Sequence, residues 1–142
     1  MLKNIPNILP PDLLKILMEM GHGDEIVIAD GNFPAASHAQ RLVRCDGMGA
    51  PQLLDAILRL FPLDTFVKHS AALMAVVPGD NYKPEIWPIY KKAVQQHEPQ
   101  FVDFEMVERY AFYERAKKAY AIVATGEAAR YANIILKKGL IT

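Results

Sequence analysis

From Met20 onward the chain runs Met20-Gly21-His22-Gly23-Asp24-Glu25-Ile26-Val27-Ile28-Ala29-Asp30, an order that few folds accommodate. Glycines on both sides of His22 end the amphipathic helix before them, because the position just past a helix favours a residue that reaches the left-handed region. The run from Glu25 to Asp30 is too apolar and too short for a surface helix, so it reads as a buried strand. A helix that stops directly into a buried strand belongs to a layered α/β domain. A carboxylate at the end of such a strand stands where open α/β sheets present ligand groups. His22, uncovered by its neighbours, is the candidate for proton transfer because imidazole is the side chain suited to it near neutral pH, with Asp30 as the anchoring acid. The fragment alone also reads as a helix stop with an exposed histidine, followed by an Asp that opens a turn.

The remaining segments repeat the alternation. Pro10-Pro11-Asp12 opens a first helix through Met18, with proline tolerated in the first turn. Residues 31–40 show no clear period and read as a loop over Asp30. Arg41 to Cys45 reads as a strand stopped by Asp46-Gly47. A helix starts at Pro51, with Leu53, Leu54, Ile57 and Leu58 on its apolar face, and ends at Phe61-Pro62. Ala72 to Val77 reads as a strand closed by Pro78-Gly79-Asp80, and Ile86 to His97 as a helix with Pro88 in its first turn. Glu105 to Lys118 reads as a single helix. Ala119 to Ala124 and Tyr131 to Leu136 read as the last strands, joined by residues 125–130. The expected architecture is one α/β domain over residues 1–142, a central mixed sheet flanked by helices.

Composition narrows the function. Lys plus Arg equals Asp plus Glu, sixteen each, so no overall field favours nucleic acid or an anionic membrane. Cys45 is the only cysteine, which excludes an intrachain disulfide and a multi-cysteine zinc site. No apolar run approaches the length that crosses a bilayer, and Met1 to Pro11 lacks a signal-peptide pattern. A cytoplasmic protein is expected.

Three other histidines compete with His22. His97 closes a predicted helix, where a cation suits the dipole; His69 sits in a polar stretch; His38 lies in the loop after Asp30. None shares metal-ligand spacing with another, so no metal is expected. Gly47-Met48-Gly49 is too short for a nucleotide loop, and Cys45 reads as a small buried hydrophobe. On a helix, Arg109 and Tyr113 are four apart and share a face, where a guanidinium and a phenol can hold sugar-like hydroxyls. The bland alternative is ion pairing with neighbouring Glu and core packing. Within a strand, Tyr131 and Asn133 face one side and form a neutral hydroxyl-reading pair, or else a packed strand edge.

Together these clusters resemble the family of L-fucose mutarotase and ribose pyranase over nearly the whole chain. The resemblance is carried by Glu19-Met20-Gly21-His22-Gly23-Asp24-Glu25-Ile26, Asp30, Asn32-Phe33-Pro34-Ala35, Asp46-Gly47 and Pro62-Leu63-Asp64. It continues in Phe112-Tyr113-Glu114-Arg115-Ala116-Lys117-Lys118-Ala119, Thr125-Gly126-Glu127 and Tyr131-Ala132-Asn133-Ile134-Ile135-Leu136-Lys137-Lys138-Gly139. Gly23, Arg109 and the Phe112–Ala119 run look like the fucose branch, whereas Ala132 matches the pyranases. The resemblance implies an isomerase that interconverts sugar anomers by acid/base ring opening and closing, with no cofactor. L-Fucose is the implied substrate, and D-ribose or a non-catalytic sugar-binding role are the alternatives. It implies His22 as proton donor and Asp30, Arg109, Tyr131 and Asn133 as sugar ligands, with Asp64 and Tyr113 beside them. It also implies homo-oligomers, decamers among them, with sites completed at subunit contacts.

Overall fold

The computed structural model describes all of residues 1–142. Eleven elements follow one another: α1 (Pro11–Glu19), β1 (Glu25–Ala29), α2 (Ala35–His38), β2 (Leu42–Cys45), α3 (Ala50–Leu58), β3 (Ala71–Met74), α4 (Ile86–His97), β4 (Glu105–Val107), α5 (Arg109–Lys118), β5 (Ala121–Thr125) and β6 (Ile134–Lys137). The strands form one mixed sheet in the order β2-β5-β1-β6-β3-β4. β6 pairs antiparallel with both β1 and β3, and every other pairing is parallel. Five strands therefore run one way and β6 runs against them. No helix is long and apolar enough to cross a membrane.

Strand periodicity divides the core in two. Along β1, Ile26 and Ile28 join the larger apolar cluster, while Val27 and Ala29 join the smaller one; along β5, Ala121 and Val123 part in the same way from Ile122 and Ala124. Successive strand residues point to opposite faces, so each cluster marks one face of the sheet. Helices α1, α3 and α4 cover the first face with Leu13, Leu53, Ile57 and Tyr90; α5, with Phe112 and Ala116, covers the second together with Phe33 and Ala35. Leu13, Leu53, Leu54 and Ile57 are fully buried, each contributing about 1.5–3 kcal/mol.

The expected mixed sheet with flanking helices is what the structure has, with four local departures, one being that the strand expected over Ala72–Val77 spans Ala71–Met74. Residues 35–38 form a short helix inside the expected loop. The expected helix from Glu105 is a strand followed by a helix. Glu105–Val107 pairs with β3, and Glu108 then caps α5, its carboxylate accepting from the Tyr110 and Ala111 amides at 3.0 Å each. An acid that satisfies the free amides of a first helical turn defines that end more sharply than helical periodicity does. Finally, β6 begins at Ile134 rather than Tyr131, because Tyr131 sits at φ 57°, outside any strand conformation.

One glycine is required by closeness. A Cβ on Gly126 would lie 2.0 Å from the Asp46 carbonyl oxygen, so the parallel ends of β2 and β5 can approach only with glycine there.

Candidate active site

Because five strands are parallel, their carboxyl ends gather at one edge of the sheet, together with the amino end of β6. Asp30 follows β1, the Val77–Asp80 turn follows β3, Arg109 opens the helix after β4, and Arg130 to Asn133 lead into β6. At that edge lies a cavity of about 380 Å³ lined by Asp30, Asn32, Phe33, Met74, Val77, Asp80, Arg109, Tyr113, Arg130, Tyr131 and Asn133. The location agrees with the rule for ligands in open α/β sheets.

Asp30 is fixed on every side. Thr125 donates its hydroxyl to the Ala29 carbonyl at 2.7 Å, and the Gly31 amide donates to the Glu127 carbonyl at 2.8 Å. The Asn32 amide donates to Asp30 Oδ1 at 2.9 Å. Asn133 completes the clamp: its Oδ1 accepts from the Asp30 amide at 2.7 Å, and its Nδ2 donates to Asp30 Oδ2 at 3.1 Å. One Nδ2 hydrogen of Asn133 and the remaining lone pairs of Asp30 are left for a ligand. Burial pushes the Asp30 carboxyl above the usual carboxylate range, against the hydrogen bonds from Asn32 and Asn133. Thr125-Gly126-Glu127 thus serves the fold: it anchors the Asp30 turn, and Glu127 accepts the Ala50 amide at the start of α3 at 3.1 Å.

The opposite wall comes from the segment before β6. Two backbone carbonyls there lack ladder partners and are held by α4 instead. Trp87 Nε1 donates to the Tyr131 carbonyl at 2.8 Å, and the buried Tyr90 hydroxyl donates to the Ala132 carbonyl at 2.7 Å. Burial drives the Tyr90 phenol well above its ordinary range, so it remains a donor. Ala132 is fully buried in the larger apolar cluster and does not line the cavity. Arg109 and Tyr113, one turn apart on α5, form the rim, Arg109 Nε donating to the Tyr113 hydroxyl at 3.2 Å. The Tyr113 ring packs edge-on against Phe33 at 5.5 Å. Aromatic edge, guanidinium, amide and carboxylate together suit a compact polyhydroxylated ring: apolar C–H faces meet the aromatics and hydroxyls meet the polar groups.

Five of the sequence-predicted residues, Asp30, Arg109, Tyr113, Tyr131 and Asn133, therefore share one cavity. His22 and Asp64 do not line it. They sit at the other end of the sheet, beside the close of β6, where the Gly23 amide donates to the Lys138 carbonyl and the Asp64 amide to the Lys137 carbonyl. The length of β1, roughly 17 Å, separates them from Asp30. There His22 Nε2 contacts Asp64 Oδ1 at 3.2 Å, with the His22 side chain 43% exposed and that of Asp64 5% exposed. The Phe66 ring lies 5.7 Å from the imidazole. Burial opposes ionisation of Asp64, but the Phe66 amide and the His22 ring outweigh it, and the carboxyl is held below its ordinary range. An ionised Asp64 on one ring nitrogen leaves the other free to exchange protons with a ligand.

The competing histidines have partners elsewhere: His97 meets Asp55 at 2.7 Å, His38 meets the Ser37 hydroxyl at 2.9 Å, and His69 meets the Asp103 carbonyl at 3.2 Å. Asn32, Asp80 and Arg130 were not among the sequence candidates. Asp80 carried a readable signal, since Pro78-Gly79-Asp80 closes the strand expected before it, although β3 ends earlier, at Met74.

The chain is similar to known proteins over nearly its whole length. The family model described as the RbsD / FucU transport protein family matches residues 3–141. The fucose mutarotase of Danio rerio is 51% identical over 146 residues, covering 99% of this chain and 94% of that protein. The solved structure of the fucose mutarotase from Streptococcus pneumoniae in complex with L-fucose superposes with a TM-score of 0.93 at 56% identity, covering 99% of this chain and all of that one. Bacillus subtilis RbsD complexed with D-ribose superposes with a TM-score of 0.70 at 23% identity over 94% of this chain and 95% of that one, a likeness of fold alone.

Proposed function

This chain belongs to the RbsD / FucU transport protein family, and on that premise we propose that it is an isomerase interconverting the α- and β-anomers of L-fucose. The observation that carries this is the Asp30–Asn133 clamp at the base of a monosaccharide-sized cavity, in a chain half identical to fucose mutarotases over its full length. Ala132, the residue that most suggested a pyranose–furanose isomerase of ribose, faces the core and not the cavity.

Anomer exchange passes through the open-chain aldehyde. An acid protonates the ring oxygen while a base takes the anomeric hydroxyl proton, and closure on the other face reverses both transfers. Two proton transfers and correct positioning are all that the reaction asks. In this reading Asp30 and Asn133 hold adjacent hydroxyls, Tyr131 and Arg109 a further pair, and Tyr113 presents an aromatic edge to the C–H face. His22 is the proton donor, and Asp64 orients its ring and stabilises its charged form.

Within one chain His22 and the Asp30 cavity lie at opposite ends of the sheet, which supports a homo-oligomer in which His22 of one copy completes the cavity of the next. Equivalent contacts in a closed ring would supply every site once. A single buried cysteine, its thiol pushed up by burial, suits a cytoplasmic setting.

Saturation-transfer NMR on L-fucose and D-ribose tests the reading. The protein is expected to accelerate α/β exchange of L-fucose well above the buffer rate and that of ribose far less. Saturable binding of L-fucose with an unchanged exchange rate would make this a sugar-binding protein without turnover and end the enzymatic reading.

A further inference from the structure

Tyr131 is an aromatic residue at positive φ, a conformation that bulky side chains adopt only when their surroundings over-determine it. Trp87 holds its carbonyl. Tyr82 stacks on its ring, with centroids 6.1 Å apart and planes 25° apart, and the Arg130 guanidinium lies 4.6 Å over Tyr82 and 5.5 Å over Tyr131. All of this converges on one carboxylate. Asp80 accepts the Tyr131 hydroxyl at 2.8 Å and the Arg130 guanidinium on Oδ2, and the Tyr82 amide at 2.9 Å on Oδ1. Its own amide donates to the Val77 carbonyl at 3.1 Å, in a turn that Gly79 makes possible at φ 88°.

The direction of the bond matters. The Tyr82 amide, the Tyr131 hydroxyl and Arg130 outweigh burial and hold the Asp80 carboxyl below its usual range, so it is an acceptor only. Tyr131 has a single hydroxyl hydrogen, and Asp80 takes it. The Val77 amide donates to the phenol oxygen at 3.4 Å and occupies one of its two lone pairs. What the phenol offers the cavity is a lone pair.

We propose that Asp80 is the positioning residue for Tyr131 and commits its hydroxyl to accepting, so that the cavity demands a donating hydroxyl at one position of the sugar ring. This rests on the reading of the cavity as a monosaccharide site, and it adds a rule of selection: a ring substituent that can accept but not donate is refused there.

The test uses the assembled protein, L-fucose exchange by saturation-transfer NMR, and four variants: Asp80→Ala, Asp80→Asn, Tyr131→Phe and the Asp80→Ala/Tyr131→Phe double. Asp80→Ala should raise KM about tenfold, the size of one charged hydrogen bond, with kcat changed far less. Asp80→Asn, which keeps an acceptor oxygen for the phenol, should recover most of that loss. In the Tyr131→Phe background the Asp80 change should add nothing, because the two act as one unit. A wild-type KM in Asp80→Ala, effects that multiply in the double variant, or an Asn no better than Ala would each overturn the proposal. Should Asp80→Ala fail to fold, the unaltered protein and Tyr131→Phe decide with a panel of monodeoxy and monodeoxyfluoro L-fucoses. Asp30, also an acceptor, should refuse fluorine at one ring position and Tyr131 at a second, and only the second refusal should vanish in Tyr131→Phe; the same refusals in both proteins overturn the proposal. If Tyr131→Phe itself leaves KM unchanged, the monosaccharide reading of the cavity falls first and the role of Asp80 with it.

Discussion

The two ends of the sheet are built in opposite ways. At the carboxyl end of β1, Asp30 is buried and tied to Asn133 and Asn32, and Thr125 holds the carbonyl just before it. At the amino end, His22 stands between two glycines with much of its side chain in solvent and a single hydrogen-bonded side-chain partner. Groups that read a sugar must not move, because each ångström of slack weakens several hydrogen bonds at once. A proton carrier held by one carboxylate keeps a free nitrogen and an open approach, which serves when its target arrives on another copy. On the proposed reading, the difference teaches that recognition and proton transfer are separate constructions, and each can be attacked without the other.

The largest effect expected from separating them is that of His22→Ala. Exchange should fall by about two to four orders of magnitude, the usual weight of a general acid, while L-fucose still binds in the Asp30 cavity with its affinity little changed. Isothermal titration beside the NMR assay reads both quantities. Loss of binding equal to the loss of rate would mean that His22 belongs to the recognition end after all. A mixing experiment sharpens the same division. Inactive His22→Ala and Asp30→Ala proteins, unfolded and refolded together, should regain roughly a quarter of the wild-type rate if every site draws on two copies. A mixture that stays inactive would place both functions within one chain.

Next in size is Asn133→Ala. It strips the Asp30 amide and carboxylate of buried partners, and leaving such groups unsatisfied costs about 1–3 kcal/mol, readable as a lower midpoint in urea denaturation. KM should rise with it. The equivalent change at the other end, Asp64→Ala, should lower kcat more than stability, because His22 remains half in water. If instead Asp64→Ala proves the more destabilising of the two, the contrast between a rigid and a loose end is wrong.

The ends should also part company with pH. Burial raises the carboxyl of Asp30, so on acidification it takes a proton earlier than an ordinary carboxylate would. KM for L-fucose should therefore begin to climb at a pH above the usual carboxylate range, and Asp30→Asn should abolish that limb. The sign for stability is the reverse: the ionised group is a cost to the fold, relieved as pH falls through the raised value. Asp64 is shifted the other way, so its support for the His22 loop holds above the ordinary carboxylate pKa. It is lost only as pH drops through the depressed value.

What was legible in the sequence follows from the range of the forces involved. Apolar periodicity is local, so β1, α1, α3 and α4 were readable close to their limits, although α1 ends at an extended Met20 and not at a left-handed Gly21. β4 was not, because Glu105–Val107 becomes a strand only by pairing with β3, and the capping role of Glu108 is invisible until the start of α5 is known. Tyr131 and Asn133 reached the cavity as expected, but not by strand alternation: the aromatic residue sits at positive φ, held by Trp87, Tyr82 and Asp80 from distant segments. Strand order was unreadable too. Nothing local says that β6 lies between β1 and β3, and that placement alone brings Asn133 to Asp30 and His22 to Asp64.

The smallest effect tests the rim of the recognition end. Tyr113→Phe removes the hydroxyl that accepts from Arg109 Nε and leaves the ring packed against Phe33. Arg109 is exposed and Tyr113 only partly buried, so the lost bond is weak and the aromatic edge survives. A rise in KM of about two- to fivefold with unchanged kcat is expected, as for loss of an exposed polar contact. Tyr113→Ala should cost more, because it also removes the surface on which a sugar's C–H face would rest. A Phe variant as damaged as the Ala variant would show that the hydroxyl, not the ring, meets the substrate. The rim would then take part in the chemistry and not merely bound the cavity.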